Sequence, residues 1–345
     1  MRVCERDAQD LAVGLLRGYG VPEKSAQIQA GILVEAELRG HPSHGLQRLP
    51  RLLRRIERGL ADPVSQGEFR WRSEGVLEGD GLRGLGPVVA FAALDRLLER
   101  VGRTGVALAA VSNAQHLGML AQYVEAIAST GRIGIAMSSS EALVHPHGGT
   151  SRVLGTNPIA IGVPSADGAP FVVDLATSEV SMGKIHHHAA IGRPLQPGWA
   201  TDADGRPTTD AVRARDGAIA PFGQAKGYAL GLAIELIVAA VAGTPFAPSI
   251  RGTLDAEAVC NKGDIFLVLD TCGSTDLLRR IADYLDFVRA APSADPETPV
   301  SIPGDGARRR RTQAANAGFE VDPGLWARLN DLSLHKNLSR RETPS

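Results

Sequence analysis

His44 and Arg48 stand four residues apart in the polar connector His41-Pro42-Ser43-His44-Gly45-Leu46-Gln47-Arg48. That spacing puts two side chains on one face wherever the chain turns helically. A guanidinium grips a carboxylate through two parallel hydrogen bonds. An imidazole, with an ordinary pKa of about 6.5, exchanges a proton at neutral pH. With Ser43 alongside, the set suits a substrate that carries a carboxylate next to an alcohol or a carbonyl. An exposed polar turn capping the next helix would use the same residues. His116 is a second candidate, in Ser112-Asn113-Ala114-Gln115-His116-Leu117-Gly118, where an apolar strand gives way to a helix. Strand ends offer side chains to ligands in α/β folds, and a helix N-terminus disfavours imidazolium.

Other candidates are anion sites. Gly148-Gly149 and Gly155-Thr156-Asn157-Pro158 could let backbone amides approach an anion, although turn formation alone accounts for them. Asp174-Leu175-Ala176 ends a strand, Gly183-Lys184 follows, and Lys226 precedes an apolar helix. A lysine there could neutralise a phosphate, as could the basic run 308–311, which also reads as a solvated face. His186-His187-His188, with His145 and His147, suggests metal only weakly. Neighbours on a strand point to opposite faces and no acidic partner has ligand spacing, so no metal is expected. Gly79-Asp80-Gly81-Leu82-Arg83-Gly84 fits G-x-G-x-x-G, but the next strand ends in Val111-Ser112-Asn113 without the carboxylate that a dinucleotide fingerprint needs. It reads as a turn into a helix. Nucleophile-elbow and P-loop patterns are absent.

These residues must be positioned by a chain of 345 residues, enough for two or three domains. Lys+Arg of 37 against Asp+Glu of 38 excludes a generally basic surface, so no nucleic-acid partner is expected. With 43% hydrophobic and 4% aromatic residues, the core must be aliphatic and alanine-rich. The widely spaced Cys4, Cys260 and Cys272 make no disulfide framework. The N-terminus MRVCERDAQD has no secretory pattern. The longest apolar run, 228–242, contains Glu235 and falls short of the roughly 20 residues a membrane span needs. A reducing cytoplasm and no membrane association are expected.

Periodicity predicts helices at Glu23–Leu38, from near Pro50, and at 87–101 and 118–129. In the second, Leu52, Leu53 and Ile56 form the apolar stripe and Arg51, Arg54, Arg55 and Arg58 point outward. Strands are predicted at 106–111, 133–137, 159–163, 171–174 and 264–270, with 159–163 and 171–174 a hairpin turning at Ala166-Asp167-Gly168. Residues 196–219 read as an ordered polar loop, 227–242 as a helix buried on most sides, 277–288 as an amphipathic helix, and 334–345 as a frayed tail. The order of elements indicates a mixed α/β protein.

Taken together, RGHPSHGLQRLP, SNAQHLG, HPHGGTSRVLGTNPIAIGVP, FVVDLATSEVSMGKI, PGWATDADGRPTTD, PFGQAKGYALGLAIEL and IPGD resemble the malate/L-lactate dehydrogenase family. That family also includes ureidoglycolate, sulfolactate, diketogulonate and cyclic-imine carboxylate oxidoreductases. The resemblance implies an unusual, non-Rossmann α/β fold with a large mixed or antiparallel sheet and flanking helices. It implies NAD or NADP as cofactor, and a homodimer with the active site near the interface. The expected parts are 1–75, helical and packing with the C-terminal part; 76–245, cofactor-binding; 246–333, C-terminal; and the tail. By resemblance His116 and His44, with Ser43, take the acid/base positions and Arg48 lies at the substrate. Ser140, Asp174, Leu175, Ala176, Lys226, Gly304 and Asp305 match cofactor-contact regions, and Thr156, Asn157 and Lys184 match motif residues. Three features depart from the family pattern. Pro42 replaces the usual Asp, Asn113-Ala114-Gln115-His116 replaces Asn-Ser-Asn-His, and His145 and His147 flank the Gly-Gly turn. The expected reaction passes a hydride between nicotinamide and C2 of a 2-oxo or 2-hydroxy carboxylic acid, or alternatively reduces a cyclic imine carboxylate. A metal-dependent hydrolase or lyase, and a non-catalytic relative, are the readings from other classes.

Overall fold

The computed structural model describes residues 1–341 apart from Asp167 and Cys272, with side chains as far as Leu334. The chain opens with β1 (Arg2–Val3), α1 (Glu5–Gly18) and α2 (Glu23–Leu38). Cys4 caps α1, its Sγ accepting the Asp7 amide. The connector forms two single turns of 3-10 helix, Pro42–His44 and Leu46–Arg48, and runs into α3 (Leu49–Glu57) with Pro50 in its first turn. Leu15, Leu16, Leu33, Leu38, Leu46, Leu49 and Leu53 share one core. Each leucine so buried contributes about 1.5–3 kcal/mol.

The central sheet follows. It takes in β2 (Glu68–Ser73), β3 (Val76–Asp80), then α4 (Gly86–Thr104), β4 (Val106–Ser112), α5 (Ala121–Ala128), β5 (Ile133–Ser138), β6 (Ile159–Val163) and β7 (Phe171–Leu175). After it come α6 (Met182–Ala190), β8 (Ala200–Thr201), β9 (Pro207–Thr208), α7 (Ala211–Ala214), α8 (Ala225–Ala242), β10 (Gly263–Leu269), α9 (Thr275–Arg289), α10 (Asp305–Ala317), β11 (Phe319–Glu320) and α11 (Pro323–Arg341). The seven strands lie in the order β2-β3-β4-β10-β5-β6-β7. Only β3 and β4 pair in parallel, joined by α4; the other pairs are antiparallel. This is the mixed α/β sheet expected from the sequence. The tip of the β6–β7 hairpin includes Asp167, outside the described residues, as does Cys272.

Alanine brings helices close to this sheet. Ala107, Ala109, Ala136 and Ala160 face Leu94, Leu97, Tyr123 and Ile127 of α4 and α5. On the opposite face Ile234 and Val238 of α8 meet Ala110 and Ile265. The N- and C-terminal ends pack together. β1 pairs with β11, and Leu329 of α11 joins the core of α1 and α2. β10 lies between β4 and β5 in the sheet, and β2 and β3 form a hairpin across residue 75.

Several expectations are corrected. Arg55 does not point outward; it is 3% exposed, and its Nε donates to Gln115 Oε1 at 2.7 Å. α8 is not buried on most sides. Its composition alone would allow a membrane span, but one face packs on the sheet with Glu235 inside, and Leu230, Leu236 and Ile237 are exposed. α5 starts at Ala121 rather than at 118, because Gly118 has φ +81° and Asp174 of β7 supplies the cap, its Oδ2 accepting the Ala121 amide at 2.8 Å. His186-His187-His188 lie on a helix, not a strand. There His188 is buried, its Nδ1 3.0 Å from the Pro194 carbonyl oxygen. Of the expected frayed tail, 334–341 belong to helix α11 and 342–345 lie outside the described residues. The Gly79–Gly84 turn does join a strand to a helix, but its glycines serve packing. A Cβ on Gly81 would lie 2.8 Å from Ala114 Cα, and one on Gly84 2.6 Å from the Ser65 oxygen.

Candidate active site

A cavity of about 720 Å³ opens where the ends of β4, β5, β7 and β10 meet the connector and the N-terminus of α10. Ser43, His44 and Arg48 line it from one side and His116 from another. The two imidazole centroids lie 5.6 Å apart. Residues far apart in the chain thus meet at one point.

Each group is held. Glu37 lies buried under the connector, and its Oε1 accepts the Leu46 amide at 2.8 Å. Burial pushes that carboxyl up to about 7, against the pull of the amide. Arg48 Nε donates to the Ser43 carbonyl at 2.7 Å, and Ser43 Oγ lies 3.0 Å from His44 Nδ1. Opposite, the loop 113–118 is anchored by Gln115, whose Nε2 donates to the Leu60 oxygen at 2.9 Å while Arg55 holds its Oε1. Gln115 therefore braces α3 against the His116 loop and does not line the cavity. A Cβ on Gly118 would strike Ile32 Cγ2 at 2.5 Å, so only glycine fits that bend. The Gly118 amide donates to His116 Nδ1 at 2.9 Å, which places the proton of a neutral ring on Nε2.

The electrostatics keep both imidazoles neutral in the free protein. Burial holds His44 down at about 3, helped by the charges of Arg48 and His41. His116 is held well below its ordinary value, first by burial and then by Arg48, His44 and Lys262. Arg48 is itself lowered to about 10, chiefly by burial and then by Arg51. Its Nη1 is buried and has no partner. Thr253 Oγ1, also on the cavity wall, is likewise unpaired. Both residues line the cavity, and because buried polar groups are nearly always satisfied, these two orphaned groups are the natural partners for a ligand's oxygens.

The sequence profile of the Malate/L-lactate dehydrogenase family matches residues 3–330. This chain belongs to that family. It is similar to the L-sulfolactate dehydrogenase of Methanocaldococcus jannaschii, with 33% identity over 325 residues, 93% of each chain. It is 39% identical to Delta(1)-pyrroline-2-carboxylate reductase 1 of Burkholderia ambifaria over 233 residues, 68% of each. The crystal structure of a dehydrogenase from Sinorhizobium meliloti superposes with a TM-score of 0.93 and 54% identity, covering 96% of this chain and 98% of that one. As a family member the protein is an enzyme, a dehydrogenase or reductase, and its family implies a nicotinamide cofactor.

The cavity fits such a dinucleotide. From the imidazoles its wall runs past Ser140 and Thr156, along Val172–Ala176, to Ser301–Gly304 and Gly306 at the start of α10. Gly304, at φ +94°, opens that helix toward the cavity, with Arg308 and Arg310 beside it. Backbone amides at a helix N-terminus suit a pyrophosphate, and Gly306 and Ala307 of the first turn line the cavity. Ser140 Oγ accepts the Thr156 amide at 3.0 Å, joining those two residues. Asp174 is open to the cavity but crowded by it. Burial raises its carboxyl to about 6, while the Ala121 and Leu120 amides and the Arg39 charge oppose the rise.

Four other expected site residues sit off the cavity wall. Asn157 is buried, donating to Glu235 Oε2 at 2.6 Å and the Gly231 oxygen at 3.0 Å, so it ties a turn to α8. Asp305 is taken by Arg289 and Arg308, whose hydrogen bonds hold its carboxyl at about 2. Lys184 Nζ lies 4.4 Å above the Trp199 ring centre. Lys226 is exposed in the first turn of α8. Sequence reasoning missed Lys262, Asp264, Glu37, Thr253 and Glu141. Glu141 Oε1 accepts the Thr253 amide at 2.7 Å and so holds that loop over the cavity. A signal for the first two did exist. Lys262 and Asp264, two apart at the start of an apolar strand, must share one face of it.

Proposed function

We propose that the protein is an NAD- or NADP-dependent oxidoreductase acting at C2 of a small 2-oxo or 2-hydroxy carboxylic acid. The observation that carries this reading is the unpartnered Arg48 Nη1, buried beside two neutral imidazoles. Arg48 would take the substrate carboxylate, its Nε already braced against Ser43. His116, with its proton on Nε2, donates a hydrogen bond to the C2 oxygen. His116 cannot easily become imidazolium, since a second ring proton would face the Gly118 amide. His44 can, because Ser43 Oγ is able to accept from its Nδ1. The proton is therefore assigned to the His44–Ser43 pair, and orientation of the acceptor oxygen to His116. Bound nicotinamide supplies or receives the hydride. The residues that would hold it are Ser140, Thr156, Asp174, Leu175, Ala176 and the amides around Gly304.

The site favours a carbonyl over a cyclic imine. The charges of Arg48 and Lys262 both depress His116, and a C=N group must carry positive charge to be reduced well. Relatives with sulfolactate or pyrroline-carboxylate names stand on either side of this choice. The test is a paired assay with NADH and NADPH, using a C4 2-oxo dicarboxylate and a five-membered cyclic imine carboxylate. The oxo acid is expected to react with at least about tenfold higher kcat/KM; a preference for the imine reverses the assignment.

We also propose that the enzyme is a homodimer closed through α8. Ala229, Leu230, Ala233, Leu236, Ile237 and Ala240 are all exposed on one face of that helix, at the three-and-four spacing of a helix seam. A two-fold axis would bury that seam on its own copy. Ala233→Arg is expected to turn a dimer into a monomer in analytical ultracentrifugation, and an unchanged sedimentation coefficient would place the interface elsewhere. A cytoplasmic location follows from the cofactor pool such an enzyme draws on, and subcellular fractionation checks it.

A further inference from the structure

We propose that Lys262 is a further catalytic residue, an ammonium that donates a hydrogen bond to the substrate's C2 oxygen beside His116. This rests on the reading of the site given above. Lys262 and Asp264 have side-chain exposures of 2% and 0% and form an ion pair, with Lys262 Nζ bonded to both carboxylate oxygens. A buried pair of this kind often stabilises a protein no better than apolar residues of equal volume, so its presence calls for another reason.

The fold supplies one. Lys262 directly precedes β10, the middle strand, whose Gly263 lies opposite Ser112, the last residue of β4. The loop that carries His116 leaves from that point. Asp264 lies opposite Ser138 of β5, whose Oγ donates to Asp264 Oδ1 at 2.6 Å. The carboxylate is thereby fixed between two strands, and it fixes the ammonium. An ammonium has three N–H groups, and Asp264 takes two of them. Lys262 lines the cavity together with His116, Arg48 and Thr253. Its charge is also among those that hold His116 neutral, which places the two groups within electrostatic reach of one another.

In the reduction, the C4–H bond of bound reduced nicotinamide would break and its hydrogen, with both electrons, would form the new C2–H bond. The carbonyl π pair moves onto oxygen, which takes its proton from His44. Lys262 gives up no proton. Together with the Nε2–H of His116 it meets the negative charge growing on that oxygen, with both donors already in place.

Lys262→Met alone would strand a buried carboxylate, so the test uses Lys262→Met/Asp264→Asn as well. The double variant is expected to fold and to bind NADH or NADPH within about threefold of wild type by nicotinamide fluorescence. Its kcat for the oxo acid should fall about 10²–10³-fold, the effect of losing one preorganised oxyanion donor. An unchanged kcat, or a loss confined to KM, overturns the proposal. Oxalate, whose oxygens mimic the carboxylate and C2 oxygen of a 2-oxo acid, gives a readout independent of turnover. With cofactor present it should bind the double variant at least about tenfold more weakly than wild type in calorimetry. Equal binding removes Lys262 from the site. Lysine-dependent oxalate binding without turnover of either substrate class supports the contact and sinks the functional reading alone.

Discussion

His116→Ala should turn over the 2-oxo acid about 10²–10³-fold more slowly than wild type while still binding cofactor. The alanine removes the Nε2–H aimed into the cavity and leaves the Gly118 amide without its acceptor. His116→Gln restores a neutral donor and should recover part of the loss. His44→Gln should recover none, because an amide does not exchange a proton. Rates follow from single-turnover kinetics and cofactor affinity from nicotinamide fluorescence. Near-normal turnover by His116→Ala would remove the residue from its role.

The same imidazoles set the pH dependence. In the free enzyme His44 is held near 3, so it is neutral at pH 6–8. Reduction consumes a proton, which must then enter with the substrate, whose carboxylate offsets the Arg48 charge that helps hold His44 down. The value of kcat/KM, which reports the free enzyme, should therefore fall about tenfold per pH unit as pH rises from about 6 to 8. Oxidation needs His44 as a neutral base and should be flat over that range. A flat profile for reduction would contradict the assignment of the proton to His44.

Arg48→Leu should lower kcat/KM for the carboxylate substrate by about 10³-fold, chiefly through KM, with cofactor affinity within about twofold of wild type. Truncating one partner of a buried, hydrogen-bonded charge pair costs about 2–5 kcal/mol, which is the source of that figure. Arg48→Lys should rescue little. A lysine keeps a charge but cannot both hold the Ser43 carbonyl, as Arg48 Nε does at 2.7 Å, and present a second donor to the ligand. Initial-rate kinetics decide this. A variant whose KM stays within about threefold of wild type would mean that the carboxylate binds elsewhere, and the orphaned Nη1 would need another explanation.

What could be read directly was whatever rests on local periodicity and residue type. The bounds of α2 came from its apolar spacing and Gly40, and those of β6 from an apolar run between turn signals. The aliphatic, alanine-rich core followed from composition, because few aromatic residues were available to fill it. Ser43, His44, Arg48 and His116 stood out as candidates because few residue types exchange protons or grip carboxylates near neutral pH, the family resemblance singled them out, and the fold brings all four to one cavity. Errors arose where a side chain's meaning depends on a distant neighbour. Arg55 looked outward on a helical wheel, yet it is buried against Gln115, 60 positions away in sequence. The ion pairs of Asp305 with Arg289 and Arg308, the first 16 positions away, likewise had no local signal. The α8 helix looked buried because its hydrophobicity shows no preferred side, and only packing revealed which face the sheet covers.

The sequence by itself therefore determined the supply of chemistry: which groups could move a proton, hold a carboxylate or cradle a phosphate, and on which kinds of element they sit. Tertiary structure alone decided which of them meet. It brought the His44 and His116 ring centres to 5.6 Å, left Arg48 Nη1 without a partner, and buried the Lys262–Asp264 pair at the start of the middle strand. Periodicity reports how a residue faces its own element, whereas desolvation and pairing depend on the sum of all neighbours in space. Those two quantities govern charge state and reactivity, and they are set only when the strands close side by side.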